Sequence, residues 1–322
     1  ELNRIEWVSA VRHNIARTNT MVGRNTLPHG LLILGDPGDG GGLMTDALVA
    51  KLLCRSDLAH ACGDCKACRL HQAGNHPDFI RVQPEGKSLT IRVDAVRAIN
   101  RKVAETAQQG GNKVIRLENA EKMNSNAANA LLKVLEEPSD RTFIVLESRS
   151  LGRTLPTVRS RCRLVTLPEP TPEQALAVLH SAAYPLNPHI ALGIAQGKPY
   201  TALAVTADQL NQWSECERHF LQDLGFSQLS QFIHKAPLEP TLKQLMLWID
   251  TALRQQLSRR GAPAPIADDL IELLANQTAR SLFNFRDYLV VLLGAINRQS
   301  NLNPQLMGEE LASRWLDLRG TE

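Results

Sequence analysis

The chain has 322 residues, long enough for two or three domains at about 100–200 residues each. Apolar residues make up 43%, an ordinary globular value, and no run approaches about 18 apolar residues, so no membrane span is expected. With 36 Lys and Arg against 33 Asp and Glu, the net charge of +3 is too small to indicate a nucleic-acid binder by itself.

The N-terminal stretch through Arg17 contains no long apolar core and does not read as a signal peptide, so a cytoplasmic protein is expected. The apolar run Leu31–Leu34 predicts a strand and Leu43–Leu53 a helix. Between them lies Gly35-Asp-Pro-Gly-Asp-Gly-Gly-Gly42, in the strand–glycine loop–helix setting of a phosphate-binding loop. The template G-x-x-x-x-G-K-[ST] puts its glycines on Gly35 and Gly40, its lysine on Gly41 and its hydroxyl on Gly42. The backbone from Gly38 onward can still offer N–H groups to an anion. The lysine for the β and γ phosphates and the Mg²⁺ ligand are missing. Asp36 and Asp39 add negative charge, and Thr45 comes three residues too late. A glycine-rich turn without nucleotide is expected, with weak phosphate binding by its backbone left open.

Six cysteines occur, and Cys54, Cys62, Cys65 and Cys68 fall within fifteen residues. In a reducing compartment such a cluster points to metal rather than disulfides. Four thiolates complete a tetrahedral zinc shell without a water, which makes a structural site over about residues 54–68. Lys66 and Arg69 would offset part of its charge. Cys62-x2-Cys65-x2-Cys68 also has the spacing of the bacterial ferredoxin run, without its Cys-Pro, so an iron–sulfur cluster is the alternative. His60, His71 and His76 are further ligand types nearby, although four thiols need no help.

Further strands are predicted at Phe79–Val82, Val114–Leu117, Phe143–Leu146 and Arg163–Leu167, with helices at Val93–Ala107 and Ala127–Leu135. In the latter, Ala128, Leu131, Leu132 and Leu135 form one apolar stripe. Ser125 is its expected cap, and Pro138 ends it by Glu137. Strands alternating with helices imply a largely parallel sheet covered on both faces. At Leu117-Glu118-Asn119, Glu118 and Asn119 replace the metal-side Asp and the catalytic Glu of a P-loop ATPase. An amide cannot take a proton from water as a carboxylate does, so no ATP hydrolysis is expected.

Leu167-Pro-Glu-Pro-Thr-Pro-Glu173 carries three prolines and reads as a stiff linker at a domain boundary. Beyond it only helices are predicted: Pro172–Ala182, His189–Gln196, Tyr200–Ala204, Ala207–Leu224, Thr241–Arg259, Ala267–Ala275, Arg280–Arg298 and Gln305–Leu316. Residues 261–265 are read as a loop, and no internal repeat is present. The layout is an α/β domain, 1–167, a small helical domain, 168–206, and a larger helical domain, 207–322.

Ala130-Leu-Leu-Lys-Val-Leu-Glu-Glu-Pro138, a strand, and then Ser160-Arg161-Cys162 resemble bacterial DNA polymerase III clamp-loader subunits of the AAA+ class. Asn75-His-Pro-Asp-Phe79, Val93-Asp-Ala-Val-Arg97 and the four-cysteine insert strengthen the resemblance over residues 27–168. It implies an AAA+ domain with a zinc insert, a helical lid and an all-α C-terminal collar. It implies ATP-binding tau or gamma subunits and delta as partners in a five-membered ring. That ring opens the sliding clamp and places it on primer-template DNA, away from any membrane. The degenerate loop fits a member with neither ATPase nor polymerase activity. Where ATP-binding relatives have a sensor arginine in Gly-x-x-Arg, this chain has Gly197-Lys-Pro-Tyr200, with Tyr200 in its place.

In the family the arginine matched by Arg161 enters the ATP site of the adjacent subunit, which implies an arginine finger acting in trans. From spacing alone, Arg153, Arg159, Arg161 and Arg163 are only a basic surface. Two other readings are an active ATPase with an unusual loop and a zinc-dependent nucleic-acid module. Arg92, Arg97, Arg101 and Lys102 could touch DNA phosphates or simply form a solvated helix face.

Overall fold

A computed structural model of the chain describes residues 6–84, 90–258, 268–297 and 303–320. The loop expected at 261–265 lies outside the described residues. The chain divides between Glu169 and Pro170, inside the proline-rich stretch, into two units.

The first unit runs α1 (Glu6–Gly23), β1 (Gly30–Leu34), α2 (Gly41–Leu53), α3 (Lys66–Gln72), β2 (Phe79–Val82), α4 (Val93–Ala104), β3 (Lys113–Leu117), α5 (Ser125–Glu136), β4 (Thr142–Ser148), α6 (Pro156–Arg159) and β5 (Arg163–Thr166). All five predicted strands form, in one parallel sheet of order β2-β3-β4-β1-β5. Their apolar runs serve two cores at once. Leu32, Ile115, Leu117, Ile144 and Leu146 pack on one face with α4 and α5. Leu31, Ile33, Val114, Val145 and Val165 pack on the other with α2. This two-sided burial explains why the strands read as continuous apolar runs rather than alternating ones.

Two local expectations change, and one helix appears that was not expected. The cap of α5 is Asn124 rather than Ser125: its side chain accepts from the Ala127 N–H, one residue earlier than read. Helix α4 stops at Ala104, where Glu105 turns extended. Helix α1 had no counterpart in the sequence reading: Val11, Ile15 and Val22 share its inward face, but the polar Thr18 and Asn19, buried on the same side, interrupt the apolar pattern.

The second unit contains α7 (Pro172–Ser181), α8 (Pro188–Ile194), α9 (Pro199–Ala202), α10 (Ala207–Leu221), α11 (Phe226–Lys235), α12 (Leu238–Ser258), α13 (Asp268–Ala275), α14 (Ala279–Asn297) and α15 (Pro304–Arg319). A proline in the first turn starts α7, α8, α9 and α15, where its missing N–H costs no helix bond. Thr171 with Gln174, and Thr206 with Gln209, close reciprocal capping boxes. The single helix expected over Ala207–Leu224 ends at Leu221, and α11 was not foreseen; Gln222 turns extended and Gly225 caps the new start.

This unit holds two separate cores. Ala175, Leu179, Ala191, Ala202 and Leu210 form the smaller one. The larger gathers Phe220, Trp248, Phe285 and Trp315, with Phe220 edge-on to Trp315 at 5.1 Å. Among the described residues no helix is long and apolar enough to cross a membrane.

Candidate functional site

Because all strands run the same way, their carboxyl ends share one edge, and open α/β sheets place ligands there. The glycine loop leaves β1 at that edge, between β4 and β5. It does not open into a cradle. Pro37–Asp39 form one 3₁₀ turn, Gly40 takes a left-handed φ of 93°, and α2 begins at Gly41.

The N–H groups of Gly38 to Gly41 are directed at the loop itself. Gly38 N–H donates to Asp36 Oδ1 at 2.8 Å. Asp39 and Gly41 N–H donate to the Asp36 carbonyl at 3.0 and 3.2 Å, and Gly40 N–H to the Pro37 carbonyl at 3.1 Å. The Asp36 carboxylate takes an anion's place in the turn and faces Arg149 Nε at 3.5 Å. A Cβ at Gly41, where the template has lysine, would stand 3.0 Å from the Asp36 carbonyl oxygen. Thr45 is fully buried, and its hydroxyl donates to the Gly41 carbonyl at 3.1 Å.

Beside the loop lies an arginine–carboxylate network that the sequence reading missed. Arg116 on β3 donates through Nε to Glu147 Oε1 at 2.8 Å, and also pairs with Asp46 of α2. Glu118 Oε1 lies 3.4 Å from Arg116 Nε and 2.6 Å from Arg81 Nε. Two guanidinium groups therefore hold the carboxylate that stands at the metal-side position. Asn119 sits beyond it with a left-handed φ of 51°. Burial pushes the Glu147 carboxyl up, against the pull of Arg116.

A partial signal was present: Arg116 interrupts the apolar run of β3, which also carries Lys113 at its start, and Glu147 follows the apolar run of β4, but neither residue announces the other. Arg116 aligns with Val145, so Glu147, two residues on, shares its face. Replacing Arg116 by Leu would leave Glu147 buried without its partner. We expect a loss of about 3–5 kcal/mol in the first unit. Hydrogen exchange of the β3 and β4 amides measures this without interference from the second unit. Arg116→Leu with Glu147→Leu should recover most of the loss.

Arg161 sits at the opposite edge of the sheet. A Cβ on Gly30, the first residue of β1, would meet the Arg161 carbonyl oxygen at 3.1 Å and Cys162 Sγ at 3.6 Å. The segment thus abuts the amino end of β1, and the glycine loop leaves its carboxyl end. Five residues of strand, about 17 Å, separate them. Cys162 anchors the segment from below; burial pushes its thiol up to about 11, so it is a packing group rather than a nucleophile. Arg161 NH1 donates to Ser160 Oγ at 3.2 Å and to the Thr157 carbonyl at 3.0 Å. Its Nε lies 2.6 Å from Glu136 Oε1.

The four clustered cysteines do come together, with every Sγ within 4.8 Å of the others. Cys54 and Cys62 are 3.6 Å apart, Cys62 and Cys68 3.9 Å. A tetrahedral ion with Zn–S bonds of about 2.3 Å requires sulfurs about 3.8 Å apart, so one ion fits. A cluster would interpose several iron atoms and hold the thiolates farther apart. The backbone supports the thiolates: Ser56 and Cys62 N–H donate to Cys54 Sγ, Cys65 N–H to Cys62 Sγ and Cys68 N–H to Cys65 Sγ, each at 3.4 Å. Burial pushes Cys54 up, but the hydrogen bonds from Cys62 and Ser56 outweigh it and bring the thiol down to about 6. Burial and Cys65 push Cys68 up to about 12. Four such close thiols do not all ionise unless a cation offsets them.

The histidines stay outside this set. His60 is exposed, His71 packs edge-on to Phe79 at 4.9 Å, and His76 Nδ1 accepts from the Asp78 N–H. Lys66 and Arg69 are exposed on α3. Arg92, Arg97, Arg101 and Lys102 are all exposed along α4 and its start, with Arg97 3.5 Å from Asp94. Arg153, Arg159 and Arg163 are exposed as well. Tyr200 lies on α9 of the second unit.

The family profile described as "DNA polymerase III, delta subunit" matches residues 12–171. A Pseudomonas aeruginosa protein named DNA polymerase III subunit delta' is 36% identical over 311 residues, covering 92% of this chain and 94% of that protein. Its Escherichia coli K12 namesake is 35% identical over 290 residues, covering 84% and 85%. Among solved structures, a DNA polymerase III gamma subunit-related protein from Thermotoga maritima superposes with a TM-score of 0.50 at 19% identity. The match covers 95% of this chain and 99% of that one, and shows a shared fold.

Proposed function

This chain belongs to the family of DNA polymerase III delta' subunits, and we propose that it is the member of a replicative clamp loader that hydrolyses no ATP itself. In this reading it joins tau or gamma subunits and delta in a pentameric ring. The ring loads the sliding clamp on primer-template DNA. Arg161 is the arginine finger that this chain supplies to the ATP site of its neighbour.

The observation that carries the reading is the split between the two sheet edges. At the carboxyl edge, where a nucleotide would bind, the N–H groups of Gly38 to Gly41 are satisfied within the turn and Arg81 and Arg116 hold Glu118. At the amino edge, an arginine is mounted on a packed turn and stays about one-third exposed. An arginine there cannot serve its own loop, so action on a nucleotide must be in trans. A guanidinium suits that task because it is always charged and planar.

The same proposal assigns residues 1–167 to the AAA+ domain, 168–206 to a lid and 207–322 to a collar. The separate cores of the second unit support that division, although Leu210 of α10 packs with the smaller core and Phe220 with the larger. Zinc in the four-cysteine site is structural, since four thiolates leave no open position for a substrate. The basic residues along α4 are available to DNA phosphates inside the assembly, with a contribution that weakens as salt rises.

The test is reconstitution with the ATP-binding subunits, delta, the clamp and primed DNA. Omitting this chain should abolish clamp loading, and the isolated chain should neither bind nor hydrolyse ATP. Full loading without the chain, or hydrolysis by the chain alone, would overturn the proposal.

A further inference from the structure

Arg161 is not held ready for a phosphate. Its Nε and NH2 both donate to Glu136 Oε1, at 2.6 and 2.5 Å. Its NH1 donates to the Thr157 carbonyl at 3.0 Å and to Ser160 Oγ at 3.2 Å. All three nitrogens are therefore committed to the same chain. Gripping two phosphate oxygens requires a pair of free N–H groups on one edge of the guanidinium. Glu136 fills the Nε/NH2 edge, while Thr157 and Ser160 take NH1.

The position of Glu136 is unusual in itself. It is the last residue of α5 and is followed by Glu137, at the end of a helix where the macrodipole disfavours negative charge. Lys133 is the only basic residue in that last turn. Arg161 supplies the missing positive charge from another element. The pair also stays open to solvent, with side-chain exposures of 34% for Arg161 and 50% for Glu136. A pair so exposed is weak, and a polyphosphate brought close can outcompete it.

We propose that Glu136 is a latch: it holds Arg161 withdrawn on its own subunit until a neighbour's bound nucleotide displaces the carboxylate. The latch rests on the reading of Arg161 as a trans-acting finger. Glu136 touches no nucleotide in this scheme and acts only through the arginine. Its carboxylate competes with the phosphate oxygens for the same N–H edge. The finger therefore engages only when the neighbouring site is both filled and docked.

The test uses the reconstituted complex, comparing single-turnover ATP hydrolysis with wild-type chain, Glu136→Gln, Arg161→Ala and the double variant. Glutamine keeps the shape and removes the charge. An exposed pair of this kind shifts an equilibrium by about twofold to fivefold, so Glu136→Gln should raise the hydrolysis rate by that factor. Complex assembly and the melting temperature should not change, a split that a purely structural role would not produce. In the Arg161→Ala background, Glu136→Gln should have no effect.

A rate that is unchanged or lowered by Glu136→Gln, with Arg161→Ala still defective, overturns the latch and leaves the finger standing; a lowered rate would make Glu136 an orienting group instead. If Arg161→Ala hydrolyses like wild type, the finger itself fails, and the latch fails with it.

Discussion

Replacing Cys62 by Ser, or stripping metal with a strong chelator, is expected to unfold the segment from Cys54 to Gln72 while the five-stranded sheet stays folded. Between the end of α2 and the start of β2, only Ala67 and Cys68 are buried apolar residues. Two such residues make no core. Helix α3 has seven residues, far below the length at which a helix persists alone in water. The segment does have polar ties: Lys51 Nζ reaches the Ser56 and Leu58 carbonyls, and Arg55 reaches the Gln109 carbonyl. Each is worth only about 1 kcal/mol, against roughly 10–16 kcal/mol of apparent binding free energy for structural zinc in zinc-finger peptides.

The expected readout is one zinc per chain in a colourless protein, and four thiols that become reactive when the metal is removed. Cys162 and Cys216 should stay silent, since burial pushes their thiols up to about 11 and 12. Hydrogen exchange should rise over Cys54–Gln72 and remain slow in β1, β3 and β4. The metal should also be lost as pH falls, because protons compete for the thiolates. A visible absorption band with bound iron, or undiminished protection over the segment in metal-free protein, would refute the zinc reading.

The sheet was legible because two-sided burial writes itself as short, continuous apolar runs, and all five runs became strands. The cysteine set was legible because its spacing is short-range and its chemistry narrow. What escaped depended on which residues meet across the sheet or between elements. Nothing near Arg116 in sequence announces Glu147 and Asp46; they converge only through the β3–β4 register and the packing of α2. Glu136 lies inside a motif that was read for its family likeness, while its contact with Arg161 spans 25 residues. In the glycine loop the sequence shows only that Gly41 and Gly42 stand where the template has its lysine and hydroxyl. That its N–H groups turn inward on Asp36 could not be read from glycines, which permit either conformation.

With Arg161 as the proposed trans-acting finger, changing it to Ala is expected to slow ATP hydrolysis about 10³-fold or more at the adjacent site, with the other sites of the complex unaffected. The size follows from the chemistry. Phosphoryl transfer builds charge on the equatorial oxygens, and a guanidinium brought in from the next subunit meets that charge in a site closed to water. Arg161→Lys should rescue little, because an ammonium restores the charge but not the planar fork.

The fold itself should not notice either change. Arg161 is exposed, its ion pair with Glu136 is a surface one, and only its backbone carbonyl, which either substitution keeps, faces Gly30, with the Leu135 and Cys162 side chains beside it. Stability should therefore stay within about 0.5 kcal/mol of wild type. This separates a lost finger from a damaged subunit: assembly intact, melting intact, hydrolysis lost at one site. Single-turnover measurements on complexes in which only the adjacent partner site can hydrolyse ATP read the effect directly. Wild-type hydrolysis in that complex would return Arg161 to the basic surface that spacing alone suggested. Loss of assembly would instead make it an interface residue, whose effect on rate is only indirect.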